Sequence, residues 1–263
     1  MSAHPLTSGP RITPLDEIRT LVRVDLPPLP PPAASAERLG SLAPVWQWLS
    51  SAQHKARPGI LHPRIALFMA AHGAYPERQA DLPRLLADLR SGDHPASPLV
   101  KAADADLQVY ELDLSLPSGD FRKGRALDEH AAARAMSYGM MAVQPGIDLL
   151  LLSALNPVAD VSAAEIIRAI ADKTDPLEAL LHFGGFDIAA MTGVIIAARL
   201  ARIPVLVEGS AAKASAEILR ALQPDAAAHV REASTLLSEK THLPPPCHGA
   251  MLIPLLKSLA QAI

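Results

Sequence analysis

Residues suited to proton transfer or phosphate binding stand directly after the apolar runs of this sequence. His72 follows the run at 65–70, and Glu208, Gly209 and Ser210 close a later one. A histidine or a carboxylate can take a proton from a substrate, and small residues at the start of a helix leave backbone N–H groups free to hold a phosphate. Ligands of parallel sheets bind beyond the carboxyl ends of strands. The pattern therefore indicates a ligand site at such an edge.

Each of these residues also has a purely structural interpretation. Glycines at strand-to-helix turns commonly serve the turn alone. A carboxylate such as Glu208 at a helix start is favourable because of the helix dipole, and His72 is equally consistent with a structural histidine. Gly184 and Gly185, which precede the apolar stretch 186–201, fit close packing of a buried helix as well as nucleotide binding.

Several kinds of chemistry lack a motif in this sequence. It has no G-x-x-x-x-G-K-[ST], no G-x-G-x-x-G after an apolar run and no G-x-S-x-G, and its ten histidines include no H-x-H or H-E-x-x-H pair. No metal and no cofactor are expected. The net charge of −3 and the small aromatic set (two Trp, three Tyr, four Phe) argue against nucleic-acid binding. Cys247 is the only cysteine, which fits a reducing cytoplasm.

Apolar runs and helical patterns alternate along most of the 263 residues. The predicted strands span 65–70, 107–112, 147–153 and 205–208. The predicted helices span 82–90, 128–143, 163–172, 177–183, 186–201, 212–222 and 250–262. Strands as continuously apolar as 147–152 are typical of a parallel sheet covered on both faces. The fold class predicted is α/β, with a doubly wound, Rossmann-like parallel sheet flanked by helices.

The domain organisation follows from proline content and helix signals. Residues 1–34 are predicted to form an N-terminal helix and a proline-rich connector, and 35–263 a single α/β domain. Within that domain, 35–53 and 248–263 are grouped in a small helical subdomain. The apolar stretch 188–207 is interrupted by two arginines and a proline, so it predicts a buried helix and strand instead of a membrane span. The first ten residues lack the features of a secretory signal.

Five stretches, taken together, resemble one known family. The most specific is LLHFGGFDIAAMTGVIIAARLARIPVLVEG (180–209), and SAERLGSLAPVWQWL, IALFMAAHGAYPE, LADLRSG and HGAMLIPLLKSL accompany it in order. They are similar to segments of the nicotinate-nucleotide:dimethylbenzimidazole phosphoribosyltransferases of cobalamin assembly. The resemblance implies transfer of phosphoribose from nicotinate mononucleotide to an imidazole-type base. It also implies a homodimer, or a heteromer with a paralogue.

The resemblance assigns roles to particular residues. Tyr75 and Pro76 correspond to the base pocket. Gly184, Gly185, Gly209 and Ser210 are candidates for holding the phosphate or nucleotide, as their turns would also allow.

Two departures from the family pattern concern its carboxylates. The glutamate that takes the proton of the base falls at Pro246, and a second glutamate falls near Ala154. One hypothesis is an enzyme with a relocated base: Glu77 is the first candidate, with Glu208 and His72 as runners-up. Glu77 is otherwise a solvated loop charge. The alternative hypothesis is a non-catalytic relative that keeps the fold and binds an aromatic base, a nucleotide or an active paralogue.

Overall fold

The computed structural model describes residues 13–26, 34–236 and 243–262. The strands are β1 (Pro63–Ala70), β2 (Asp106–Leu112), β3 (Leu149–Ala154), β4 (Val205–Val207) and β5 (Val230–Glu232). The helices are α1 (Pro14–Val22), α2 (Ala43–Gln53), α3 (Leu82–Ser91), α4 (Ala96–Ala103), α5 (Glu129–Met140), α6 (Pro157–Ala171), α7 (Pro176–Phe183), α8 (Phe186–Ala201), α9 (Ser210–Leu222) and α10 (Cys247–Ala260). Short 3-10 helices include Ala34–Leu42 and Pro76–Gln79.

The five strands form one parallel sheet in the order β2-β1-β3-β4-β5. Alternate side chains of β1 and β3 point to opposite faces. Phe68 and Leu152 pack against α5 to α9, whereas Ile65 and Leu151 pack against α2, α4 and α10. A third cluster joins β1 to α3. Helices therefore cover both faces, which confirms the predicted doubly wound α/β class.

The chain reverses its direction of travel through the sheet between β1 and β3. From β1 it first moves outward to β2, and from β3 it moves the other way to β4 and β5. Parallel sheets of this kind bind ligands outside the carboxyl ends of strands near such a reversal. The fold thus directs attention to the loops that follow β1, β3 and β4.

Local sequence explains where several helices begin. Thr13 and Asp16 form a capping box at α1, and the side chains of Asp128, Asn156 and Asp175 accept hydrogen bonds from the first turns of α5, α6 and α7. Prolines occupy first-turn positions where no donor is needed. Pro44 stands in the first turn of α2, after the 3-10 helix Ala34–Leu42.

The predicted strands and helices are present, with differences that have physical causes. The helix predicted from 163 begins at Pro157, because Asn156 caps it and proline suits its first turn. Among the strands and α-helices, α4 and β5 were not predicted. β5 is only three residues long, and it carries an arginine and a glutamate, so it lacks an apolar run. β5 is a strand because it pairs with β4, not because of its own sequence.

The structure describes only part of the terminal segments for which predictions were made. The proline run 27–32 lies outside the described residues. Residues of α2 and α10 both contribute to the second core, and Trp46 packs against Leu259. The subdomain boundary stays a prediction. In the part of the chain that the structure describes, none of the helices has the length and apolar character needed to cross a membrane.

Candidate active site

Two cavities at the carboxyl edge of the sheet share a wall made by Glu208, Gly209 and Ser210. The Asn156 cavity, of about 280 Å³, is bounded further by the turn 154–157, Asp160 and Pro245. The Lys213 cavity, of about 390 Å³, is bounded further by Val207, Lys213, Glu232, Ser234, Leu243 and His248. The first follows β3 and the second lies between the ends of β4 and β5. The shared wall therefore faces both.

Glu208 is held between β4 and the start of α10. Its backbone N–H donates to Leu152 O at 2.9 Å. Its carboxylate accepts from the backbone N–H groups of Gly249, at 2.6 Å, and His248, at 3.2 Å. Burial raises the pKa of Glu208 to about 7, against these hydrogen bonds, which lower it. Glu208 is thus a carboxyl group that changes charge near neutral pH.

Glycine at position 249 makes this contact possible. A Cβ there would lie 2.9 Å from Glu208 Oε2 and 2.4 Å from Leu151 Cδ1. A side chain at position 249 would therefore require the Glu208 carboxylate and the Leu151 side chain to shift. Pro246, which stands where the resemblance places a glutamate, caps this same helix. The carboxylate of Glu208 thus contacts residues two and three positions beyond it.

The start of α9 contributes uncapped backbone donors to the shared wall. Gly209 adopts φ 87°, which favours glycine, and no side chain caps the helix. Lys213, one turn further along, has its ammonium 3.3 Å from the Glu232 carboxylate. His248 is buried, and its Nε2 has no hydrogen-bond partner among the described residues. The helix-start N–H groups and the Lys213 ammonium are donors of the kind that bind a phosphate.

His72 lies at the end of β1 but inside the protein, with 2% of its surface exposed. Its Nε2 is 3.1 Å from both carboxylate oxygens of Asp187, which is fully buried at the start of α8. Its Nδ1 is 3.3 Å from Ser162 Oγ on α6. Both ring nitrogens are therefore engaged by buried side chains of other elements.

A second set of buried hydrogen bonds fixes the loop after β1. The Gln79 amide accepts from His72 N at 2.8 Å and donates to His72 O at 2.7 Å and Ala74 O at 3.1 Å. Asn156 donates to Gln79 Oε1 at 2.7 Å and to Ala70 O at 2.6 Å. This network ties the β1 loop to the turn that lines the Asn156 cavity.

Tyr75, Pro76 and Glu77 lie at the outer part of that loop. Tyr75 is half-buried, in the left-handed region at φ 50°. The Arg122 guanidinium stacks over its ring at 4.2 Å, and the Phe121 ring meets it edge-on at 6.3 Å. Pro76 and Glu77 are exposed. Glu77 lines neither cavity and forms no hydrogen bond or ion pair with a described residue.

Gly184 and Gly185 lie away from both cavities. The Gly184 N–H donates to Leu180 O at 2.8 Å at the end of α7. A Cβ on Gly185 would lie 2.2 Å from His72 Cε1. The two glycines therefore let the turn before α8 pack closely, on Leu180 and on His72.

Sequence reasoning did not select Asp187, Lys213 or His248. Signals existed for two of them: Asp187 is in the GGFDIAA stretch, and Lys213 is one helical turn after Gly209-Ser210. Among the described residues, no cluster of three or more His, Cys, Asp or Glu side chains is arranged to hold a metal ion.

Comparisons with known proteins agree with this fold. A family model described as Phosphoribosyltransferase matches residues 29–173 and 159–243. The nicotinate-nucleotide–dimethylbenzimidazole phosphoribosyltransferase of Brucella abortus (strain S19) is 30% identical over 271 residues, covering 82% of this chain and 79% of its own length. Its counterpart in Rhizobium rhizogenes (strain K84) is 31% identical over 268 residues, with the same two coverages.

Solved structures extend the comparison to the fold. The crystal structure of the enzyme of the same name from Thermus thermophilus superposes with a TM-score of 0.72 at 17% identity, covering 93% of this chain and 94% of that chain. A crystal structure of CobT from the same organism gives a TM-score of 0.71 at 18% identity, over 93% and 95%.

The doubly wound sheet and the family model together define a protein of the phosphoribosyltransferase class. Identity of 30% across 82% of the chain narrows the class further. The chain belongs to the nicotinate-nucleotide–dimethylbenzimidazole phosphoribosyltransferase family of cobalamin biosynthesis. The resemblance seen in the sequence is thereby confirmed.

Proposed function

We propose that this protein transfers phosphoribose from nicotinate mononucleotide to dimethylbenzimidazole or a similar imidazole-type base, with Glu208 as the general base. The observation that carries the proposal is the position of the Glu208 carboxyl, in the wall shared by the two cavities. Its pKa of about 7 suits proton transfer near neutrality.

The reaction balances with this one acid–base group. A ring nitrogen of the base attacks the anomeric carbon, and the bond from that carbon to the nicotinate nitrogen breaks. The electron pair of that bond returns to the pyridine ring, so nicotinate leaves. Glu208 takes the proton from the other ring nitrogen of the base. Positive charge on the sugar in the transition state is stabilised by the carboxylate before it accepts that proton.

The phosphate is assigned to the start of α9. Gly209 and Ser210 present backbone N–H groups to the shared wall, and Lys213 adds a positive charge. Tyr75 and Pro76, which line neither cavity, are assigned to the base from the family resemblance, and an aromatic ring would stack on Tyr75. Gly184 and Gly185 support the site indirectly through their packing on Leu180 and His72.

Glu208 is preferred to the other two candidate bases because of accessibility and environment. His72 is buried, with both ring nitrogens engaged. Glu77 is exposed and forms no hydrogen bond or ion pair with a described residue, so nothing in its surroundings orients it for proton transfer. Glu208 combines burial with access to a cavity, which is the environment that tunes carboxyl groups for proton transfer.

A nicotinate-release assay tests the proposal. Purified wild type is mixed with nicotinate mononucleotide and dimethylbenzimidazole, and free nicotinate is followed over a pH series. We expect kcat/KM to rise with pH through about 7, as Glu208 ionises, and Glu208→Gln to lose about 100-fold or more in kcat. Glu165→Gln, a change of the same chemistry on the surface of α6, should keep wild-type rates.

The variants also separate the candidate bases. Full activity in Glu208→Gln, with loss in Glu77→Gln, would assign proton transfer to Glu77 instead. No release by wild type in any condition would reject catalysis on these substrates.

A non-catalytic binding subunit is the second candidate function. It is favoured by Pro246 and Ala154, which stand where the resemblance places glutamates, and by the two backbone N–H groups that already hold Glu208. Calorimetric binding of the base without nicotinate release would support it. We also propose a cytoplasmic protein that assembles as a homodimer or with a paralogue, which sedimentation of the purified chain and co-purification would test.

A further inference from the structure

We propose that His72 is a positioning residue for the base subsite: paired with Asp187, it fixes the loop 71–79 that presents Tyr75 and Pro76. This inference rests on the proposed function, which assigns the base to those two residues. His72 is too buried to touch a substrate, with 2% of its surface exposed. Its effect on the reaction must therefore pass through the residues that it holds.

The His72 ring joins the β1 loop to two helices of one face of the sheet. On one side, Nε2 is 3.1 Å from each oxygen of Asp187, at the start of α8. On the other, Nδ1 is 3.3 Å from Ser162 Oγ on α6. Asp187 and His72 are 115 positions apart in the chain. The loop is thus fastened to elements that are rigid parts of the core.

The Asp187 carboxylate favours a single position of the loop that follows β1. It is fully buried, and among the described residues its only partners are the His72 ring and the backbone N–H of Ile188. A loop position that withdraws His72 would leave a buried carboxylate without its histidine, which is strongly unfavourable. The pair therefore selects one position of the loop.

Close packing supports the same contact. A Cβ on Gly185 would meet His72 Cε1 at 2.2 Å, so only glycine lets the turn before α8 come this near. On the opposite side, a Cβ on Gly73 would meet Ser118 O at 2.3 Å. The loop thus packs closely at two points, on the turn before α8 and on the backbone of Ser118.

The backbone of His72 carries the constraint onward to the base subsite. Gln79 receives the His72 N–H and donates to the carbonyls of His72 and Ala74, which closes 72–79 into a fixed turn. Tyr75 stands in that turn with a left-handed backbone. Displacement of His72 would therefore displace the ring on which the base is proposed to stack.

The test compares three histidine variants in the nicotinate-release assay. His72→Leu removes the partner of Asp187, and His72→Gln restores an amide donor near the position of Nε2. His229→Leu is the matched control, because His229 is also buried but hydrogen-bonds the backbone of Ile195 on α8 and lines neither cavity. KM is measured separately for dimethylbenzimidazole and for nicotinate mononucleotide, with thermal melts to verify folding.

We expect His72→Leu to raise KM for the base about tenfold or more, since a displaced binding group is costly, with KM for nicotinate mononucleotide nearly unchanged. His72→Gln should recover part of that loss, and His229→Leu should show neither change. Equal kinetic behaviour of His72→Leu and His229→Leu would overturn the positioning role. If neither His72 variant folds, Ser162→Ala, which removes only the Nδ1 neighbour, should still raise KM for the base selectively; an unchanged KM would overturn the proposal.

Failure of the proposed function gives a different result. A wild type that binds the base in calorimetry without releasing nicotinate rejects catalysis alone, and the base affinity of the same variants then decides the positioning role. A wild type that binds no base overturns the positioning role itself.

Discussion

The loop ends of β1 and β4 lie at the same edge of the sheet and differ in how fully their polar groups are satisfied. After β1, His72, Gln79 and Asn156 hold one another and the backbone in a closed, buried network. After β4, Glu208 has a raised pKa, and the start of α9 has no side-chain cap. A network whose donors and acceptors are all paired holds its residues in one geometry. A cluster beside a cavity that still has unpaired donors or acceptors can use them to bind a ligand.

The difference teaches how residues of similar chemical type take different roles. His72 and Glu208 both follow a buried strand, and both were candidates for proton transfer. Hydrogen bonding to buried side chains commits His72 to structure, whereas Glu208, buried with only backbone donors, has its pKa raised to about 7. Their positions at strand ends made both residues candidates for proton transfer, and their hydrogen-bond partners show which role each can have.

The largest expected effect is on stability and comes from a substitution in the network after β1. His72→Leu should lower the free energy of unfolding by about 3–5 kcal/mol, because Asp187 is left buried without its histidine. Urea denaturation measures it. His229→Leu, which removes a buried histidine bonded only to a backbone carbonyl, should cost about 1–3 kcal/mol.

A double substitution sharpens that test. His72→Leu combined with Asp187→Leu removes both members of the pair, so it should be less destabilised than the sum of the two single variants. Additive losses would mean that the two side chains do not stabilise each other, so the contact between His72 and Asp187 would not contribute to the stability of the β1 network.

Much of the fold was predictable from the sequence, because its signals are local. The helix at 186–201 and the strands at 65–70 and 107–112 are marked by continuous or periodic apolar residues and by breakers at their ends. β5 was not predictable, because three residues with one buried valine carry no pattern. Its strand geometry depends on pairing with β4.

The sequence indicated where the candidate site lies, but not which residues its side chains contact. The strand-end rule drew attention to His72 and Glu208 from residue types alone. Their partners, Asp187 and the backbone of Gly249, are 115 and 41 positions away in the chain. No local pattern indicates such contacts, so the tertiary structure was needed to separate a positioning histidine from a candidate base.

The next effect concerns the pH dependence of stability on the β4 side. The folded-state pKa of Glu208, about 7, lies above its ordinary value of 4.5, so the folded protein holds this proton more tightly than the unfolded chain. The resulting stability is complete below about pH 4.5 and is lost as pH rises through about 7. Relative to wild type, Glu208→Gln should therefore gain about 2–3 kcal/mol between pH 5 and pH 8.

Urea denaturation of both proteins across this pH range measures the change, with Glu165→Gln as the surface control. A stability difference between Glu208→Gln and wild type that does not vary with pH would place the Glu208 pKa near its ordinary value. The contrast between the two strand ends would then lose its electrostatic basis.

The smallest expected effect tests whether the β4 cluster binds a phosphate. Lys213→Ala removes the ammonium from the Lys213 cavity and should raise KM for nicotinate mononucleotide about tenfold, the effect of one charge-assisted hydrogen bond. KM for the base should be unchanged, because Tyr75 and Pro76 lie outside that cavity. Lys213 also pairs with Glu232, so Glu232→Gln separates loss of the ion pair from loss of the ligand contact. If both variants raise KM equally, the lysine acts through its ion pair and the phosphate is held elsewhere; a rise in Lys213→Ala alone assigns the phosphate to the start of α9.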